Sequence, residues 1–165
     1  MLEANQIGVN GAQSFATSLN LKNLETLFLD SNPIGPEGAE ALARSTCLPS
    51  LTALHMDSTG IGDQGVKAIA ASQTLSKIEK LYLCSNKIGD EGAIALSQSP
   101  NLSHLTCLSI WRNEIRDAGG KAIAESNHFL KLERLYMSLN LIEKPTRKLI
   151  RASDMASRLK TLVMD

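Results

Sequence analysis

The sequence predicts an α/β solenoid: a right-handed horseshoe segment with a parallel sheet on its concave face and helices on its convex face. Three observations carry that reading. Leucine or isoleucine recurs in uniform steps of 27 residues at Leu24, Leu51, Ile78, Leu105, Leu132 and Leu159. Within each copy the apolar spacing switches from the period of a strand to that of a helix. No insertion interrupts the register, so the copies read as stacked equivalents.

With these residues as position 1, position 4 is Leu27, Leu54, Leu81, Leu108, Leu135 and Leu162. Position 6 is Leu29, Met56, Leu83, Ile110, Met137 and Met164. Apolar residues two apart have the period of a short strand with one buried face. Position 9 is Asn5, Asn32, Thr59, Asn86, Asn113 and Asn140, where a carboxamide can bond backbone groups as the chain leaves the strand. Position 11 is isoleucine in every copy from Ile7 to Ile142 and is expected to turn back into the core. Gly8, Gly35, Gly62 and Gly89 follow it and suit a sharp turn. A helix is predicted from near position 13, where Pro36 suits a first turn and Asp63, Asp90 and Asp117 suit a cap. Ala39, Leu42 and Ala43, then Val66, Ile69 and Ala70, have the spacing of a buried helical stripe. Gly38, Gly65, Gly92 and Gly119 would let each helix lie close to its strand. Position 22 is serine from Ser18 to Ser153, expected as a helix-terminal hydroxyl bonding local backbone rather than a phosphorylation site. Helices are wider than strands, so the stack must curve with the strands inside.

The register predicts one repeat domain over 1–165: a partial repeat 1–23, repeats 24–50, 51–77, 78–104 and 105–131, an atypical terminal repeat 132–158, and a last strand 159–165. Thr59-Gly60 replaces the usual Asn-x and predicts a looser turn. Glu143 and Thr146 stand where glycines are expected, and the stretch 143–160 holds six bases. A terminal repeat capping the core is the expected role of that stretch, a basic docking patch the alternative. Met1 falls at position 5 and Asp165 at position 7, which predicts uncovered sheet edges in either a fragment or a capless small protein.

Composition bounds the function. Hydrophobic residues make up 43% and charged residues 21%, the balance of a globular chain. Seventeen bases match seventeen acids, so no global field draws nucleic acid. The charge is nevertheless uneven: residues 1–76 carry seven acids and three bases, residues 77–165 ten acids and fourteen bases. No apolar run reaches the roughly 18–20 residues of a membrane span, and the first residues lack the pattern of a secretory leader. Three cysteines without metal-like spacing argue for a reducing compartment, the cytoplasm.

The stretch Leu81-Tyr82-Leu83-Cys84-Ser85-Asn86-Lys87-Ile88-Gly89-Asp90-Glu91-Gly92-Ala93 resembles the ribonuclease-inhibitor-like class of leucine-rich repeats. The resemblance extends over nearly the whole chain, and the short regular repeats are similar to those of bacterial effectors that act in host cells. It implies a concave face that binds another protein. The family also includes protein inhibitors that enclose enzymes and activators of small GTPases. A regulator of a small GTPase is one alternative function, and a targeting repeat of a larger enzyme, suggested by the uncovered sheet edges, is the other.

Positions 3, 5 and 7 alternate with the buried leucines and are expected to point out of the sheet. The one tryptophan and both tyrosines fall there, as Trp111, Tyr82 and Tyr136. Aromatic and Arg side chains are enriched in binding hot spots. These three are therefore the leading protein-binding candidates, followed by Phe28 and His55. Asp30 and Asp57 toward one end, with Lys80, Arg112 and Arg134 further along, would add a polar gradient that orients a partner. Cys84, His55 and Asp57 form the one constellation with catalytic residue types. Diagonal neighbours in a sheet lie about 7–8 Å apart, whereas a Cys–His nucleophile needs about 3 Å. The sequence thus predicts contact residues there and no enzyme. His104 and His128 have no clustered partners, so no metal, cofactor or small-molecule substrate is expected.

Overall fold

The computed structural model describes residues 2–165; Met1 lies outside them. Six short strands, β1 (Thr26–Phe28), β2 (Ala53–His55), β3 (Lys80–Tyr82), β4 (Cys107–Ser109), β5 (Arg134–Tyr136) and β6 (Thr161–Val163), form one parallel sheet in sequence order. The pairing register is 27 residues throughout, as in Leu27 with Leu54 and Leu54 with Leu81. Helices α1 (Val9–Thr17), α2 (Gly35–Ala43), α3 (Gly62–Ala71), α4 (Asp90–Ser97), α5 (Asp117–Ala124), α6 (Lys144–Arg151) and α7 (Asp154–Arg158) form the second layer. The sheet stays open, with β1 and β6 as its edges among the described residues. Strands repeat at about 4.8 Å and packed helices at about 8–10 Å, so the sheet takes the inner side of the stack.

The predicted apolar columns are the core. Leu29, Met56, Leu83, Ile110 and Met137 at position 6 are buried, and so are Ile34, Ile61, Ile88, Ile115 and Ile142 at position 11. Between them the asparagines bond the preceding repeat as well as their own turn. The Asn113 carboxamide oxygen accepts the N–H of Asn86 at 2.9 Å and of Ile88 at 3.1 Å. Its nitrogen donates to the carbonyls of Leu83 and Ile110. Asn86 and Asn32 make equivalent bonds one and three repeats earlier. Thr59 is the exception: its shorter side chain meets the Met56 carbonyl of its own repeat at 2.7 Å and the Asn86 carboxamide oxygen of the next at 3.1 Å, and it does not bond the preceding repeat as the asparagines do. A depression of about 460 Å³ opens beside it, lined by Asn32, Pro33, Gly35 and Gly60 among others. The turn nevertheless stays bonded to the next repeat, through the N–H of Thr59 to the Asn86 carboxamide oxygen and that of Ser58 to the Cys84 carbonyl.

Three expectations change once the repeats are stacked. The aspartates cap the next helix rather than their own. Asp63 Oδ1 accepts from Gly89 and Gly92 at 2.7 and 3.0 Å, at the start of α4. Asp90 does the same for Arg116 and Gly119 of α5, and Asp117 accepts from Glu143. The serines accept local N–H groups as expected, Ser72 from Leu75 and Ser126 from His128, but also reach across: Ser72 donates to the Ala43 carbonyl, Ser99 to that of Ala70, and Ser126 to that of Ser97. Turn chirality also differs from expectation. Gly35 and Gly62 have φ of +67° and +56°, but the left-handed residue present in every repeat is position 8: Ala4, Ser31, Ser58, Ser85, Arg112 and Leu139. There the backbone N–H turns to the next repeat, as Ser58 to the Cys84 carbonyl at 2.8 Å.

The glycine column serves helix-to-helix contact rather than helix-to-strand contact. A Cβ on Gly119 would stand 2.7 Å from Asp90 Oδ1 and 2.9 Å from the Ala93 methyl, both on α4. Gly119→Ala is therefore expected to destabilise by about 1–3 kcal/mol through overpacking, although alanine is intrinsically the better helix former by about 0.8–1 kcal/mol. A thermal melt that leaves the variant at or above wild type would refute this account of α4–α5 packing. Gly120 adds a second recess, filled by Ile142 and Ile150. In the terminal repeat Thr146 is buried at the glycine position, and α6 turns Lys144, Lys148 and Arg151 outward.

Candidate functional site

Because β1 to β5 bury their position-4 leucines and β6 partly buries Leu162, positions 3 and 5 face away from the core, and position 7 continues the same side. At position 5 the column is Phe28, His55, Tyr82, Ser109, Tyr136 and Val163. The first three rings stack: Phe28 to His55 with centroids 4.2 Å apart, and His55 to Tyr82 at 4.1 Å. Parallel pairing without slippage sets one ring above the next. Ser109 ends the stack, and Tyr136 resumes the aromatic column beyond it. Trp111 sits at position 7 with 37% of its surface exposed, toward the loop side of the same face. The structure thus brings Phe28, His55, Tyr82, Trp111 and Tyr136 onto one surface of β1–β5. Lys80 and Arg134 share it at position 3. Arg112 lies outside these columns, at the left-handed turn after Trp111.

Asp30 and Asp57 have a structural duty that sequence reasoning missed. Asp30 Oδ1 accepts the Asp57 N–H at 2.7 Å, and Asp57 Oδ1 accepts the Cys84 N–H at 2.6 Å. One oxygen of each carboxylate therefore ties its repeat to the next. Burial raises the Asp30 pKa, opposed by the hydrogen bond from Asp57 and reinforced by the Asp57 charge. A spacing of 27 between acidic residues at position 7 was the available signal.

His55, held between two rings, has its pKa lowered by burial, against the pull of Asp30, Asp57 and Glu3 and with the push of Lys80. Folding then favours the neutral imidazole. The stability this contributes is present above the ordinary 6.5 and is lost as pH falls through 6.5 toward the lowered native value. Asp30 acts with the opposite sign at lower pH, where stability returns as pH falls toward its ordinary 3.8. His55→Gln is expected to flatten the first of these slopes in a series of melts across pH. An unchanged slope would show that His55 is not its source.

Cys84 and His55 are not assembled as a nucleophile and base. The imidazole is taken up by the stack, and Cys84 Sγ pairs with Ser109 Oγ at 3.0 Å. Burial pushes the Cys84 thiol up to about 11, so it stays protonated at neutral pH. Cys107, buried at position 3 of β4, meets the Tyr82 hydroxyl at 3.8 Å. Among the described residues, no group of three or more His, Cys, Asp or Glu side chains could hold a metal ion. No helix among them is long and apolar enough to cross a membrane.

Comparison with known families bears on the repeats themselves. The family described as Leucine Rich repeat matches residues 18–43, 47–70, 74–97 and 101–124, together more than half of the chain. A search of curated proteins finds no match.

Proposed function

Since the chain belongs to the leucine-rich-repeat family, whose repeats generally mediate protein–protein interaction, we propose that it is a binding module that grips a partner protein on the open, concave face of its sheet. The observation that carries this reading is the aromatic surface itself. Phe28, His55 and Tyr82 are stacked but half-exposed, with Trp111 and Tyr136 beyond them, while the core-facing strand positions hold no aromatic residue. Rigid rings bury large areas at low entropic cost, which is why such residues dominate binding hot spots. Asp30 and Asp57 toward one end and Lys80 and Arg134 further along give the face opposite polarities that orient the partner. Arg112, at the turn, contributes from the rim.

The 27-residue strand–helix unit supports the ribonuclease-inhibitor-like subtype, and the short, regular repeats support a bacterial effector delivered into a host cell. The free thiols of Cys47, Cys84 and Cys107 fit a reducing compartment such as the cytoplasm. The test is affinity capture with wild type and the Tyr82→Ala/Trp111→Ala/Tyr136→Ala variant in parallel. A partner held by wild type and lost from the variant supports the reading; equal retention refutes it.

A further inference from the structure

One part of the strand face has the chemistry of a specific receptor. On β4 the two outward residues, Cys107 and Ser109, are small and buried, while β3 and β5 on either side carry Tyr82 and Tyr136. Lys80 and Arg134 flank Cys107 in the same strand register. These six side chains line a depression of about 450 Å³. Each of their polar groups can donate a hydrogen bond, and none is a carboxylate. Among the described residues, the ion pairs engage Arg44, Lys67 and Lys160, so neither Lys80 nor Arg134 is matched by a carboxylate within 4.0 Å. The Tyr82 phenol, pushed up to about 12 by burial and its contact with Cys107, keeps its proton for donation.

We propose that this depression receives an acidic side chain, an aspartate or glutamate, presented by the partner protein. Arg134 and Lys80 supply the counter-charges, and the phenols of Tyr82 and Tyr136 flank the carboxylate as donors. Arg offers a planar fork matched to a carboxylate, which Lys complements as a mobile point charge. The rest of the face selects a protein carboxylate over a nucleic-acid backbone. Asp57 lies just past β2, beside β3, and Asp30 one strand farther, just past β1; there they repel a long polyanion but tolerate a single acid set beside neutral or basic residues. The inference rests on the reading that the strand face binds protein.

The experiment selects a random peptide library displayed on phage against the immobilised full chain, in wild type and in Lys80→Gln/Arg134→Gln. Wild type is expected to enrich peptides bearing Asp or Glu, and the double variant to lose that enrichment. In a selected peptide, changing the acid to its amide is expected to weaken wild-type binding about tenfold or more, the scale of a charge-assisted hydrogen bond. Charge reversal by Lys80→Glu/Arg134→Glu should turn the preference toward Lys and Arg. Selection of no peptide, of peptides without acids, or of the same acids by the double variant would each overturn the proposal. A parallel selection on Phe28→Ala/His55→Ala/Trp111→Ala, all outside the depression, separates this failure from failure of the wider reading. Acid-poor peptides lost from that variant would leave the face as the binding surface and sink the depression alone. Peptides indifferent to every one of these substitutions would sink both.

Discussion

Asn113→Ala is expected to lower unfolding stability by about 3–5 kcal/mol, because it orphans buried groups in two repeats at once. The Asn113 oxygen is the acceptor for the N–H groups of Asn86 and Ile88, and its nitrogen serves the carbonyls of Leu83 and Ile110. A buried polar group left without a partner costs about 1–3 kcal/mol. Ile110 keeps a donor in Asn140, so the two N–H groups dominate the loss. For a domain whose whole stability is about 5–15 kcal/mol, this is a large fraction. Stacked repeats are coupled chiefly to their neighbours, so the variant should also unfold in a broader or split transition. Asn101→Ala is the control: it removes a carboxamide with one long bond to the Ala70 carbonyl, and little change is expected. Urea titrations of both decide the matter. Equal losses for Asn113 and Asn101 would mean the inter-repeat ladder is not a principal source of stability.

The second large effect concerns binding. Tyr82→Ala/Trp111→Ala/Tyr136→Ala is expected to weaken partner affinity by at least about a hundredfold, given about 2 kcal/mol or more for each hot-spot residue and incomplete additivity between them. Its effect on folding should be small by comparison. All three side chains lie on the solvent side of the sheet, and the leucine column beneath them is untouched. The foreseeable cost is the stack between Tyr82 and His55, about 0.5–1.5 kcal/mol. A titration of the captured partner, beside a melt of the same variant, separates the two quantities. Lost affinity with a near-wild-type melt supports recognition through this face. Preserved affinity would move the binding surface to the helical layer or to the basic stretch around α6.

Residues that repeat with period were the most legible. Leu, Ile and Asn columns at 27-residue spacing specify a strand, a turn and a helix in each copy, because burying one face of each element demands those spacings. The outward aromatics were legible for the same reason: strand alternation assigns Tyr82, Trp111 and Tyr136 to the open side. The partners of polar groups were much less so. A helix-start aspartate reads as the cap of its own helix, since local geometry is all that a linear pattern contains. Stacking instead brings the following helix within reach, and Asp63, Asp90 and Asp117 cap that one. Ser72 keeps its expected local bond, from the Leu75 N–H, and for the same reason adds one to the preceding helix, as Ser99 also does.

The sequence by itself determined the repeat length, the parallel layering and which residues face outward, because burial periodicity is written along the chain. Only the tertiary structure decided what the outward residues do to one another. It commits one oxygen of Asp30 and of Asp57 to the backbone of the next repeat, and it closes Phe28, His55 and Tyr82 into a stack. It also sets Lys80 and Arg134 on either side of the small residues of β4. Those relations depend on distances between side chains 27 or more residues apart. Such distances exist only once neighbouring strands have come together at about 4.8 Å.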